Sequence, residues 1–463
     1  MPAHPAGPRH EDIVHAAAIG EAPSDLNALS PQVWPLNAQR ADGVLSVAGV
    51  PVTEAVAQYG SPLFLLDEQH FRVAARSYAD AYAGADVYYA AKAFLTTHVA
   101  RWAVEEGLRI DVCTLGEMEV ALRAGVPGEQ LLFHGNNKSM VELRRALEVG
   151  IGRIVVDSFA EIERLAALAE GLGVRPKVLV RVTVGVEAHT HEFIATAHED
   201  QKFGLALAGG VAAAAAKAVS AQPALELIGL HSHIGSQIFD AAGFEVAAHR
   251  MAGLVADLVN SGIAVTELNL GGGMGIAYTG ADDPPQVADM AKQLTTIVTR
   301  ECELAGVPVP RLAVEPGRAI VGSAGITVYE VGTVKPVDLG GRERLYVSVD
   351  GGMSDNIRTA LYGADYTVVL ANRESTAQPV VTRVVGKHCE SGDVIVRDAW
   401  LPGDVSAGDL LAVAATGAYC RSMASNYNYL PRPAVVSADA GQCRVVLRRE
   451  TLDDLLAADA GLD

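Results

Sequence analysis

Val87-Tyr88-Tyr89-Ala90-Ala91-Lys92-Ala93-Phe94 joins a short apolar, β-prone run to one lysine, and a helix-like segment follows from Thr96 to Glu106. A strand running into a helix predicts a βα unit with Lys92 at the strand's carboxyl end. In a barrel of such units that end carries the chemistry. A lysine acts as a covalent amine only where desolvation or a neighbouring cation lowers its pKa. Most lysines are solvated surface residues, so Lys92 decides nothing by itself.

The pattern extends outward from this stretch. Apolar runs begin near Val87, Leu108, Leu131, Ile154, Val178, Leu225, Val265 and Leu312. Amphipathic segments such as Met140 to Glu148 and Phe159 to Ala169 separate them. About eight strand–helix units over about 250 residues predict a (β/α)8 TIM-like barrel, placed at 61–320. A doubly wound open sheet is the alternative, but it needs fewer units and a glycine fingerprint after its first strand.

After Ala319 the texture changes. Ile326 to Val334, Leu345 to Val349, Tyr366 to Leu370, Val380 to Val385 and Val445 to Arg448 read as strands between Gly, Pro and Asp turns. They predict a second, β-rich domain of sandwich or barrel-like form over 321–463. Ahead of the barrel, residues 1 to about 40 read as a loose arm, Asp42 to Val50 as a hairpin and Val52 to Tyr59 as a helix. Segment 1–60 is therefore expected to be an arm plus strands that join the β-rich domain. The Ala/Asp-rich tail from about Asp453 reads as a short helix or a frayed end.

At 463 residues, with 50% hydrophobic and 20% charged residues, the chain predicts a globular protein of two domains. A formal charge of -19 argues against nucleic acid or an anionic membrane as partner, since both need a basic surface. No apolar run is long enough to span a bilayer, and residues 1–25 lack the apolar core of a signal peptide. Five scattered cysteines without a paired CxxC indicate neither a disulfide framework nor a zinc site, so a reduced, cytoplasmic setting is expected.

The polar residues gather at one end of nearly every predicted unit. Lys92 follows the first strand, Asp111 and Cys113 the second, His134-Gly135-Asn136-Asn137 the third and Asp157-Ser158 the fourth. Arg181 lies in the fifth, and His231-Ser232-His233-Ile234-Gly235-Ser236 closes the sixth. Gly271-Gly272-Gly273-Met274-Gly275 follows the seventh, and Glu315-Pro316-Gly317-Arg318 the eighth. Scattered surface polarity would appear at both ends. A glycine cluster after a strand exposes N–H groups that cradle a phosphate, or else makes a plain turn. Ser236 could add a hydroxyl. His233 could stack on a flat ring or be a satisfied core histidine. Glu315 could keep a pyridine nitrogen protonated or form an ion pair with Arg318. No metal is expected, because neither His231 nor His233 has a third ligand at convincing spacing. An imine-forming lysine, a phosphate cradle, a stacking ring and a carboxylate for a ring nitrogen together describe pyridoxal 5'-phosphate.

On Tyr89-Ala90-Ala91-Lys92-Ala93, His231 to Gln237, the 271–275 glycine loop, Glu315 to Arg318, Cys389-Glu390-Ser391-Gly392-Asp393 and Gly417-Ala418-Tyr419, the chain resembles the alanine racemase/ornithine decarboxylase (fold type III) family of pyridoxal-phosphate enzymes. The match runs from about residue 60 to residue 433. The resemblance implies that Lys92 holds the cofactor covalently, His233 stacks on it, and Ser236 with Gly273 binds its phosphate. It implies that Glu315, in the Glu315-Pro316-Gly317-Arg318 run, pairs with the ring nitrogen and that Tyr419 lies near phosphate and substrate. It also implies a homodimer or larger assembly with shared active sites, in which Cys389 and Glu390 come from the neighbouring subunit. Cys389 would then return a proton to the substrate; otherwise it is an inert thiol and Glu390 a solvated acid.

Within that family the chain is most similar to the branch that decarboxylates meso-2,6-diaminopimelate to L-lysine and carbon dioxide, the last step of lysine biosynthesis. Arg318, Arg358 and Tyr362 would clamp the distal carboxylate, for which a guanidinium is well shaped, and Glu390 would take the distal ammonium. Arg358 could instead be a plain surface charge. A decarboxylase for ornithine, arginine or carboxynorspermidine would share the cofactor set and differ at Arg358 and Glu390. A racemase would need a second base, and a non-enzymatic carrier would be expected to have lost catalytic residues. The amino-terminal arm receives no role.

Overall fold

The structure, a computed structural model, describes residues 20–186, 201–338 and 343–462. Residues 1–19 of the expected loose arm lie outside them. The chain divides into two compact units, one of residues 71–276 and 283–322, the other of residues 1–70, 277–282 and 323–463.

The first unit is the barrel. Asp86–Ala90, Arg109–Val112, Leu131–Phe133, Arg153–Val156, Lys177–Thr183, Glu226–His231, Glu267–Asn269 and Arg311–Val314 pair in parallel, each with the next. The ring closes where Ala313 and Val314 pair with Asp86 and Val87. Their runs are apolar because a parallel strand under a helical coat is buried on both faces. Tyr88, Leu132, Val155, Leu179, Ile228 and Ala313 form one buried cluster within the barrel. Several helices start immediately after their strand on a side-chain cap. Thr96, Thr114, Ser139 and Ser158 each accept a hydrogen bond from a backbone N–H of the first turn, and Ser139 with Glu142 closes a full capping box. These caps keep the loops at the carboxyl ends short and fixed.

The amino-terminal ends are polar too, contrary to expectation. Asp86 sits among Arg109 at 3.1 Å, Arg311 at 2.7 Å and Arg153 at 3.6 Å, and Arg153 also reaches Glu267 at 2.9 Å. These charges neutralise one another and close the barrel floor. At the opposite end, the loop after the third strand is anchored by a fully buried ion pair. Lys138 Nζ donates to Gly135 O at 2.7 Å, Val155 O at 2.6 Å and Glu161 Oε1 at 2.6 Å, with both side chains about 1% exposed. Replacing Lys138 by methionine strands a buried carboxylate. The barrel is expected to lose about 3–5 kcal/mol, read as a lower denaturation midpoint, and the added change Glu161→Gln should recover part of it.

The second unit is a β-rich sheet. Its longest strand, Gly325–Asp338, pairs antiparallel with Leu63–Asp67, Glu343–Val349 and Leu410–Val413, and its register shifts between Val331 and Thr333. That bulge lets one strand serve different neighbours along its length. Ala434–Asp439 runs parallel to Leu63–Asp67 on its other side and pairs with Gln442–Leu447; Pro379–Val385 and Val394–Pro402 extend the far edge. Ala38–Ala41, Val44–Val47 and Val50–Pro51 make a small sheet of their own. The strand Leu63–Asp67 therefore belongs to this unit and not to the barrel, so placing the barrel's start at residue 61 is corrected. Its five residues are all buried, and a run of that kind reads the same in either sheet. Three strands escaped the sequence reading: Val394–Pro402, Leu410–Val413 and Ala434–Asp439. Among the described residues no helix is long and apolar enough to cross a membrane.

Candidate active site

The first barrel strand ends in a single tight turn, Ala91–Ala93, that carries Lys92. Tyr89 Oη donates to Phe94 O at 2.6 Å and braces the turn from behind. The turn packs on Gly317, where a Cβ would lie 2.8 Å from Ala90 Cβ and 3.1 Å from Ala93 Cβ. Ala90 N donates to Pro316 O at 3.1 Å. Lys92 is exposed between the buried Ala91 and Ala93, so burial by this chain does not by itself set its amine apart. Its charge bears on Asp111, Cys113, Glu117 and His233, all at the same barrel mouth.

Glu315, at the end of the eighth strand, is the hub of that mouth. Oε1 accepts from His134 Nε2 at 2.8 Å and Asn269 Nδ2 at 2.8 Å, and Oε2 lies 3.4 Å from His231 Nε2. Burial would raise this carboxyl, but the His134 and His231 rings and their hydrogen bonds outweigh it and hold it well below the usual carboxylate range. Burial also pushes the His231 imidazole down to about 4, against the pull of Glu315. Near neutral pH the hub is thus an ionised Glu315 facing a neutral His231. The Nδ1 atoms of His134 and His231 are buried without a partner, as rings donating through Nε2 leave them. Asp111 goes the opposite way: burial raises it, and the nearby His134 only partly offsets this. Two carboxyls in one mouth are driven apart, which marks acid–base chemistry.

His231, His134 and Glu315 also meet the distance criterion for a three-ligand metal group. Sequence spacing offered no third ligand; the fold brings His134 to within 2.8 Å of a glutamate 181 residues away. At that distance the pair is a hydrogen bond, and the carboxylate is already held by it. Asn269, closing the seventh strand, was not foreseen at all. A polar residue ending an apolar strand before a glycine run was the available signal.

The glycine loop lies against the sixth strand's exit. Gly272 N donates to His233 Nδ1 at 3.2 Å, which fixes His233 as a neutral ring with its proton on Nε2. Burial, then the charges of Lys92 and Arg181, hold that imidazole well below its ordinary value. Ile238 N donates to Gly273 O at 2.9 Å, and Gly275 N to Ile238 O at 3.1 Å. A Cβ on Gly272 would fall 2.2 Å from Glu315 O, and one on Gly273, at φ 111°, 2.4 Å from Gly235 O. Only glycine fits there. Arg318 Nη2 donates to Ser236 Oγ at 2.9 Å, so Arg318 turns toward the cradle.

Lys92, His233, Ser236, Gly273, Glu315, Pro316, Gly317 and Arg318 thus lie on barrel segments that pack on one another. The remaining expected site residues lie in the β-rich unit. Arg358 is buried, not a surface charge, and its guanidinium carbon lies 6.0 Å from the Tyr362 ring. Cys389 and Glu390 are exposed neighbours on one loop, where Cys389 N donates to Asn428 Oδ1 at 3.4 Å. That loop is pinned by buried Asp393, which accepts from Met353 N at 2.6 Å and His388 N at 2.7 Å. Tyr419 takes a positive φ of 60°.

The cofactor expected from the sequence fits this mouth. The glycines leave room where any Cβ would collide, His233 offers a neutral ring, and Glu315 Oε2 keeps acceptor capacity beyond its single long contact. Residues 68–322 match the family model of the pyridoxal-dependent decarboxylases, pyridoxal binding domain. A diaminopimelate decarboxylase of Mycobacterium tuberculosis is 58% identical over 444 residues, covering 94% of this chain and 99% of the relative. One from Bacillus subtilis is 45% identical, covering 91% and 96%. Among solved structures, a diaminopimelate decarboxylase of M. jannaschii in co-complex with L-lysine superposes with a TM-score of 0.85 at 31% identity, covering 91% and 97%.

Proposed function

Because the chain belongs to the pyridoxal-dependent decarboxylases, in their diaminopimelate decarboxylase branch, we infer that it converts meso-2,6-diaminopimelate to L-lysine and carbon dioxide. The observation that carries the chemistry is Glu315, ionised in a buried cage of N–H donors at the mouth of the barrel. Pyridoxal phosphate, when bound, supplies an electron sink for the pair left as carbon dioxide departs.

Each side chain has a task in this reading. Lys92 would hold the cofactor covalently through its amine. Glu315 would keep a proton on the ring nitrogen, so that the ring could accept charge. His233, neutral and oriented by Gly272, would be the residue that stacks on the ring. Ser236 and the Gly273 backbone hold the phosphate, with Pro316, Gly317 and Arg318 shaping the adjoining wall and Tyr419 near phosphate and substrate. Arg318, Arg358 and Tyr362 grip the distal carboxylate, and Glu390 takes the distal ammonium. Cys389 delivers a proton to the α-carbon. The exposure of Cys389 and Glu390 supports a homodimer or larger assembly in which they serve the site of a second copy. None of the five cysteines forms a disulfide, which supports a reduced, cytoplasmic setting.

The test offers pyridoxal-phosphate-loaded protein meso-diaminopimelate, ornithine and arginine separately and records carbon dioxide and amine. Lysine from diaminopimelate alone is the expected result. Preference for ornithine or arginine would keep the fold and cofactor and overturn the reading of Arg318, Arg358 and Glu390.

A further inference from the structure

Arg358 stands in an unusual environment. It is 5% exposed, and among the described residues no carboxylate pairs with it. Its partners are tyrosines instead. The guanidinium carbon lies 4.9 Å from the Tyr278 ring and 5.8 Å from the Tyr366 ring, and Nη1 donates to Tyr366 Oη at 2.7 Å. Tyr278 and Tyr366 meet edge to face, with centroids 5.2 Å apart and planes at 82°. Ring faces attract the cation without neutralising it. Arg358 Nε is buried with no hydrogen-bond partner. A buried cation left unneutralised, with a donor unused, is a receptor for an anion.

The hydrogen bonds also have a direction. Arginine only donates, so Tyr366 Oη accepts from Nη1, and Cys420 Sγ lies 3.6 Å from the same oxygen, in a bond that either atom can donate. Tyr366 and Cys420 are both buried, which makes the sequence Arg358 to Tyr366 to Cys420 a fixed relay. Thr367, next to Tyr366, ties the platform down: its N and Oγ1 both donate to Tyr278 O, at 3.1 and 2.9 Å. The guanidinium is therefore held in one plane by groups that do not reach an anion themselves.

We propose that Tyr366, with Tyr278 as platform, is a positioning residue that orients Arg358 toward the substrate's distal carboxylate. This rests on the carboxylate clamp proposed above. Its signature follows from the chemistry of the product. L-Lysine keeps the distal carboxylate after the other is lost, so substrate and product depend on Arg358 alike, whereas cadaverine carries no carboxylate.

The test compares Tyr366→Phe, Tyr278→Leu and Arg358→Gln in the cofactor-loaded enzyme, measuring KM, kcat, product inhibition by L-lysine, inhibition by cadaverine and the melting midpoint. Tyr366→Phe is expected to raise KM for meso-diaminopimelate and Ki for L-lysine together, by about ten- to hundredfold, the scale of one hydrogen bond to a charged group. Its kcat and its Ki for cadaverine should stay within twofold. Tyr278→Leu, which keeps the hydrogen bond but removes the platform, should move the same two constants the same way and gives an independent reading should Tyr366→Phe not fold. If Arg358→Gln raises both constants while neither tyrosine variant does, the positioning role is overturned and the clamp stands. If Arg358→Gln changes neither, the clamp itself is wrong and the inference falls with it. A tyrosine variant that lowers kcat and melting midpoint at constant KM would mark those residues as merely structural.

Discussion

Lys92→Ala is expected to abolish useful turnover, by about three orders of magnitude or more, the scale of removing a covalent catalyst. The protein should nevertheless remain folded. Lys92 is exposed in a tight turn between Ala91 and Ala93, and the turn is held by Tyr89 Oη and by packing on Gly317. Alanine fits that backbone, and the supports of the turn at Tyr89 and Gly317 remain. The melting midpoint of the unloaded protein should therefore stay within about 2 °C, well under the shift that a 1 kcal/mol loss produces in small domains. Borohydride treatment of the loaded wild type should trap cofactor on the chain, and the variant should retain none. Activity within tenfold of wild type would sink the proposed role of Lys92.

Glu315→Gln should reduce kcat by about 10²- to 10³-fold, or about 3–4 kcal/mol at 1.36 kcal/mol per decade. Two effects combine. The amide carries no charge to hold a proton on a ring nitrogen. It also directs an N–H at either His134 or His231, which now donate to the carboxylate, so one ring must change tautomer or turn away. In the wild type the direction of the Glu315 shift has a further consequence. A group with a depressed carboxyl pKa contributes above its unfolded value and loses that contribution only as pH falls through the folded one. Wild-type activity should thus show no loss from protonation of Glu315 between pH 7 and about pH 5, near the ordinary glutamate value. A kcat for Glu315→Gln within threefold of wild type would remove Glu315 from the mechanism.

The barrel was legible because short apolar runs alternate with amphipathic segments, a signal that repeats about eight times. The β-rich unit was only partly so. Leu410–Val413 has four residues, and Ala434–Asp439 follows Pro431 and Pro433, so neither shows enough alternation to register. Leu63–Asp67 fell inside the range given to the barrel, since a strand buried on both faces looks alike in either unit. In the site, Lys92, the glycine loop and the Glu315 run could be read from position alone. The cage around Glu315 could not. His134, His231 and Asn269 come from three strands, separated from Glu315 by 181, 84 and 46 residues. The tyrosines around Arg358 were equally hidden: Tyr366 had been read only as the start of a strand, and Tyr278 comes from a six-residue segment that leaves the barrel to join the other unit.

The placement of Leu63–Asp67 has a consequence for how the protein is made. The strand is synthesised before any of the barrel, yet its antiparallel partner begins at Gly325 and its parallel partner at Ala434. At about 5–20 residues per second, the ribosome needs about 13–50 s to supply the first of these, about 260 residues later. Throughout that interval a strand of four apolar residues ending in Asp67 waits with unpaired edges, the state in which chains associate wrongly. The barrel can close in the meantime, since all its strands lie between the two halves of the sheet. The nascent chain is thus most vulnerable at a segment that carries none of the candidate catalytic residues. Yield on refolding or overexpression should respond more to substitutions in Leu63-Phe64-Leu65-Leu66 than to those in the active site.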